Sequence, residues 1–155
     1  MNPDFSDILE ALTSTGARFL VVGAHALAVH GVPRATGDLD VWVDVSTDNA
    51  ELVWRALAAF GAPVESLKIT PEDFSKPDMV VQVGLPPQRI DFLTGVSGLT
   101  FADAWADRVT LEVGAITVPF LGRASLVRNK RASGRLKDLA DLEALGEKPT
   151  TYTET

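Results

Sequence analysis

Apolar positions recur along the chain with two different periods. Phe5, Ile8, Leu9 and Leu12 fall at i, i+3, i+4 and i+7, behind Asn2-Pro3 and ahead of Gly16. Asparagine as N-cap, proline at the first helical position and glycine as a stop predict an opening helix that packs one face. Residues 18–22 (RFLVV) form a short apolar run ending at Gly23, as expected of a buried strand, and residues 24–30 (AHALAVH) suit a short helix closed by Gly31. A loop over 32–37 (VPRATG) leads to a β-branched run over 39–45 (LDVWVDV), a second strand. Ser46, Thr47 or Asp48 then caps a helix whose Leu52, Val53, Ala56, Leu57 and Phe60 share one face before Gly61-Ala62-Pro63 ends it.

The pattern weakens over 64–78, which reads as a mobile excursion with one helical turn after Pro71. Residues 79–83 and 89–93 are apolar strands separated by GLPPQ, a spacing that favours an antiparallel hairpin. Residues 108–113 and 116–120 flank Gly114-Ala115, a two-residue hairpin turn, and 101–105 between the hairpins reads as a helical turn. Ser125 is placed to cap a helix to about residue 132. Leu136, Leu139, Leu142 and Leu145 then form an apolar stripe before Gly146. The chain is thus α/β (α+β) with a mixed sheet, a single domain over 1–147 and a frayed tail over 148–155.

Composition narrows the classes. With 155 residues and 46% hydrophobic content, one core forms without staples. The absence of cysteine excludes disulfides, thiolate zinc sites and cysteine nucleophiles. No apolar run approaches the roughly 18 residues of a membrane-spanning helix, and the first residues lack a signal-peptide pattern. No membrane partner and a cytoplasmic location are the expectation. The net charge of -7 opposes general nucleic-acid binding, yet residues 123–137 carry six basic side chains and no acid. That segment is where an anionic ligand is to be sought.

Asp38 and Asp40 flank Leu39 at the start of a predicted strand, so both carboxylates project from one face. Such a pair repels unless a cation sits between its members, and hard oxygen donors suit Mg²⁺ or Mn²⁺. The same triplet is also compatible with solvated charge at a loop edge. Asp91, inside Arg-Ile-Asp-Phe-Leu, either pairs with Arg89 or faces solvent, or it joins Asp38 and Asp40 in a two-metal carboxylate cluster. Gly23-Ala24, where a strand feeds a helix, is either simple turn geometry or a cradle for phosphate. A glycosyltransferase Asp-x-Asp binding Mn²⁺ and a nucleotide sugar is a further reading, which the short chain argues against.

The order Gly23-Ala24, a thirteen-residue spacer, Asp38-Leu39-Asp40 and a later apolar-flanked Asp91 resembles the polymerase-β-like minimal nucleotidyltransferase superfamily. The ending KRASGRLKDLADL (130–142) is similar to that of a bacterial branch, the abortive-infection (AbiEii) and MenA-type toxin nucleotidyltransferases. The resemblance spans roughly residues 19–145 and implies a nucleotidyltransferase-like mixed sheet with helices packed on it.

It also implies roles. Asp38, Asp40 and Asp91 hold Mg²⁺ or Mn²⁺, and Asp91 helps remove the proton of an acceptor hydroxyl. Gly23, Ala24, His25, Arg34, Thr36, Lys130 and Asp138 contact the nucleotide, with Lys130 the triphosphate cation. Arg128, Arg131, Arg135 and Lys137 extend the 123–137 segment into a face for anions or RNA. Asp138 is either the family's C-terminal acid or an acid that favours a helix's first turn. Ala24 departs from the family's usual serine or glycine and removes a hydroxyl that contacts phosphate.

The implied activity moves NMP from an NTP such as ATP to a hydroxyl of tRNA, protein or a small molecule, in a toxin-antitoxin setting. The acceptor would be held through the basic segment, by a partner or by a second copy in a homodimer. The alternative is a catalytically silent module that binds a nucleotide or a toxin or antitoxin partner. His25 and His30, at i and i+5, suit local hydrogen bonding or phosphate contact better than chelation. Trp42, Trp54 and Trp105 read as core or its rim.

Overall fold

Asn2 accepts a hydrogen bond from the Asp4 N–H at 2.7 Å, and Gly16, at φ 77°, closes the helix α1 (Pro3–Thr15). The strand β1 (Phe19–Val22) follows and passes directly into α2 (Gly23–Val29). Then come β2 (Leu39–Val43) and α3 (Thr47–Phe60), which Ser46 caps through the Asn49 N–H. The second half holds β3 (Val80–Val83), β4 (Ile90–Leu93), α4 (Phe101–Ala106), β5 (Val109–Val113), β6 (Ile116–Phe120), α5 (Arg123–Ser133) and α6 (Leu136–Ala144). This computed structural model describes residues 2–84 and 88–149. Leu85–Pro87 of the predicted hairpin turn and most of the predicted tail, residues 150–155, lie outside the described residues.

The strands form one mixed sheet in the order β3-β4-β2-β1-β6-β5. Both predicted hairpins are present as the antiparallel pairs β3–β4 and β5–β6. β1 runs antiparallel to β2 and parallel to β6, while β2 and β4 are parallel. Side chains alternate across a strand, and the core divides accordingly. Phe19, Val21, Leu39, Val41 and Phe92 pack with α1 and α3 on one side; Leu20, Val22 and Trp42 pack with α2, α4, α5 and α6 on the other. Three layers result, helices covering both faces. Trp42 is buried and meets Phe101 edge-on at 5.2 Å, and Phe101 in turn stacks on Trp105.

Three expectations are corrected. The segment 64–78 is not a loose excursion: Val64, Ile69 and Phe74 are buried, the predicted helical turn is present as a 3-10 turn at Pro71–Phe74 that seats Phe74 edge-on against Phe92, and Trp54 Nε1 donates to the Ile69 carbonyl. Ser125 is not a cap. It lies inside α5, and its N–H and hydroxyl both donate to the Asp107 carboxylate, which serves the helix start from the end of α4. The leucine stripe of α6 holds at Leu139, Leu142 and Leu145 but not at Leu136, which is 86% exposed, and the same helix buries Asp138 and Asp141. This helix buries carboxylates because α5 meets them with a lysine.

Candidate functional site

Register places the carboxylates. Val22, the last residue of β1, pairs with Asp40, and Asp40 lies beside Asp91 across the parallel β2–β4 ladder. Leu39 and Val41 point into the α1–α3 core, as do Ile90 and Phe92, so Asp40 and Asp91 project from the opposite face. Asp38, two residues before Asp40, shares that face. The three acids therefore gather where β1 ends and β2 and β4 begin, at the foot of α2.

Gly23 makes this approach possible. Its φ of 68° lies in the left-handed region, and a Cβ built on it would overlap the Asp40 carboxylate. Burial and the neighbouring Asp91 and Asp38 push the Asp40 carboxyl up to about 6. Asp91 is 8% exposed and accepts two hydrogen bonds from Arg89, at 2.7 Å from Nε and 3.0 Å from Nη2. The same Nη2 lies 3.4 Å from Asp38 Oδ2, and the Arg89 N–H reaches Asp38 Oδ1 at 3.3 Å. One guanidinium thus neutralises two of the three acids, so the pairing of Asp91 with Arg89 and the gathering of three acids occur together.

The donor set suits a hard divalent cation: oxygen ligands only, crowded enough that Asp40 retains a proton unusually well. It is not assembled around one point. Among the described residues no group of three His, Cys, Asp or Glu side chains converges on a metal position, and Arg89 occupies the space between Asp38 and Asp91.

Above Asp38 and Asp40 opens a cleft of about 690 Å³, lined also by Gly23, Ala24, Arg34, Thr36, Lys130, Arg135, Lys137 and Asp141, among others, while Asp91, held by Arg89, does not line it. This is within the usual range of roughly 300–1,000 Å³ for small-molecule sites.

No family model matches this sequence, and no curated protein matches it significantly. Its architecture does match a solved structure, that of a “putative nucleotidyltransferase” from Thermotoga maritima, with a TM-score of 0.58 at 17% identity, covering 92% of this chain and 88% of that one. The chain has a nucleotidyltransferase-like fold.

Within this nucleotidyltransferase-like fold the C-terminal helices form the far wall of the cleft. Lys130 is buried and its ammonium lies 3.2 Å from Asp138 and 3.1 Å from Asp141. Arg135 pairs with Asp138, and Arg34, from the loop before Asp38, pairs with Asp141. Burial acts to raise Asp138, but hydrogen bonds from Arg135 and Lys130 outweigh it and hold the carboxyl below its ordinary value. Asp138 stands behind the cleft wall, fully buried.

Thr36 accepts from the Asp38 N–H at 3.1 Å and so shapes the loop into β2. His25 packs edge-on against Phe5 with its Nε2 buried and unpartnered, and burial lowers its pKa. The His30 Nε2–H donates instead to the Leu121 carbonyl, so the two histidines have separate surroundings.

The basic segment is largely spent within the molecule. Arg123 and Arg131 pair with Glu147, Lys130 with Asp138 and Asp141, and Arg135 with Asp138. Its six positive charges are therefore not one open face. The sequence pattern assigns Asp141 no role and places Lys137 within the wider face for anions or RNA, with Lys130 as the triphosphate cation. The spacing of Asp141 three residues after Asp138, on the same helix face, was the available signal.

Proposed function

We propose that this chain is a metal-dependent nucleotidyltransferase, moving NMP from an NTP to a hydroxyl acceptor. The observation that carries this reading is the juxtaposition of Asp38, Asp40 and Asp91 on one sheet face, with Asp38 and Asp40 lining an open cleft and Asp40 pushed up to about 6 by burial and by Asp91 and Asp38. Asp38, Asp40 and Asp91 would hold Mg²⁺ or Mn²⁺, which would supply positive charge to offset that developing on the phosphate oxygens during displacement at phosphorus. Backbone at Gly23 and Ala24 borders the phosphates, without the hydroxyl a serine at position 24 would add. With Arg89 withdrawn, Asp91 would help remove the proton of the attacking hydroxyl as the new oxygen–phosphorus bond forms at the α-phosphorus and pyrophosphate leaves.

The ending KRASGRLKDLADL supports a finer placement beside the abortive-infection (AbiEii) and MenA-type toxins. With it go a cytoplasmic toxin-antitoxin setting and a tRNA, protein or small-molecule acceptor, held by a partner or a second copy. No described helix is long and apolar enough to cross a membrane.

Incubation with each α-labelled NTP, Mg²⁺ and either total RNA or cell protein tests the reading. Label moves onto a macromolecule, and Asp40→Ala stops the transfer; no transfer in any pairing overturns it.

The Arg89 counter-ion and Ala24 favour a second reading, a silent module that binds nucleotide or a protein partner without turnover. Calorimetric binding of Mg²⁺-NTP with no label transferred selects it.

A further inference from the structure

Seven basic side chains on α5, α6 and the loop before β2 stand as candidates to meet an anion in the cleft: Arg34, Arg123, Arg128, Lys130, Arg131, Arg135 and Lys137. Five of them have acidic partners. Arg123 and Arg131 hold Glu147 and also donate to the carbonyls of Leu145 and Lys148, tying down the chain after α6.

Lys130 is the least available. Its side chain is 8% exposed and lies between two buried carboxylates, so turning it toward a ligand would leave Asp138 and Asp141 without their shared cation. Breaking a buried ionic set in that way is strongly unfavourable. Arg34 is anchored to Asp141, and Arg135 to Asp138.

Two remain without an acidic partner among the described residues, Arg128 and Lys137, and both are exposed. Arg128 does not line the cleft. Lys137, at the second position of α6, does, together with Gly23, Asp38 and Asp40. It is near enough to Asp40 for its charge to offset part of the carboxylate repulsion there.

We infer that Lys137 is the cation that contacts the polyphosphate of the bound nucleotide, and that Lys130 instead holds α5 to α6. This rests on the nucleotidyl-transfer reading and assigns the substrate contact within it. A flexible ammonium on the cleft wall opposite the carboxylates suits a ligand that carries its own negative charge and is held by metal on the other side.

Calorimetry with Mg²⁺ and inorganic tripolyphosphate, which needs no choice of base, tests this alongside thermal melts. Lys137→Met keeps the wild-type melting temperature and binds tripolyphosphate about ten-fold or more weakly, equivalent to roughly 1.4 kcal/mol; Lys137→Arg recovers most of the affinity. Lys130→Met lowers the melting temperature. Tripolyphosphate binding by Lys137→Met equal to that of the wild type overturns the Lys137 assignment alone. No binding by the wild type overturns both this assignment and the nucleotidyl-transfer reading.

Discussion

Gly23 stands where any side chain would collide with the Asp40 carboxylate. The last residue of β1 pairs with Asp40, so the turn into α2 passes directly over the acid, and only a residue lacking Cβ leaves room for it. Gly23→Ala meets both this overlap and a φ of 68°. The left-handed backbone alone costs about 1–2 kcal/mol. The expected result is a modestly lower melting temperature together with a clear loss of Mn²⁺ binding by titration, because Asp40 is the atom group displaced.

Asp40 also gives the site a pH dependence of definite sign. Its carboxyl, pushed up to about 6 by burial and by Asp91 and Asp38, favours the protonated form when folded. The stabilisation this lends is complete below the ordinary aspartate range near pH 4 and is lost as pH rises through about 6. Through this group the metal-free protein becomes less stable between about pH 5 and about pH 7.5, and Asp40→Asn flattens that slope. Divalent binding competes with the proton, so Mn²⁺ affinity falls as pH drops below about 6. Melting curves at both pH values, with and without Mn²⁺, check both statements.

Arg89 competes for the same oxygens as a metal would. Arg89→Gln removes the guanidinium from Asp38 and Asp91. Two outcomes are expected: tighter Mn²⁺ binding than wild type in the absence of nucleotide, and lower stability of the metal-free protein at neutral pH. Weaker Mn²⁺ binding would show that Arg89 chiefly orients Asp91 for its role.

The set Lys130, Asp138 and Asp141 is expected to dominate the stability of the C-terminal pair of helices. Lys130→Met removes the one buried cation between Asp138 and Asp141 and leaves each only an arginine from the more exposed side, a loss of up to about 3 kcal/mol and a melting temperature lower by roughly 5–10 °C. Arg135→Ala, on a side chain 62% exposed, has a much smaller effect. Equal effects of the two substitutions would contradict the assignment of Lys130 as the central cation.

Local signals carried much of this architecture into the sequence. The caps at Asn2 and Ser46, the glycine stops, both hairpins and the same-face relation of Asp38 and Asp40 all depend on near neighbours, and the structure contains them. The registry that sets Asp91 beside Asp40 spans β2 and β4 and depends on tertiary pairing. The charge pattern hides its pairing for a related reason. A count over 123–137 includes no acids because the partners Glu147, Asp138 and Asp141 lie just beyond it or on the next helix face. Residue type alone suggests Ser125 as a cap, whereas the cap comes from Asp107, eighteen residues earlier in the chain. Leu136 counted toward an apolar stripe that the buried ion pairs of α6 displace.

The central claim is that Asp38, Asp40 and Asp91 form a divalent-metal site for nucleotide, and a crystal soaked with Mn²⁺ and a non-hydrolysable NTP addresses it most directly. Anomalous density is expected between these three carboxylates, with the Arg89 guanidinium withdrawn from Asp38 and the polyphosphate directed toward Lys137. Nucleotide bound elsewhere, or carboxylates free of anomalous density with Arg89 still in place, would contradict it.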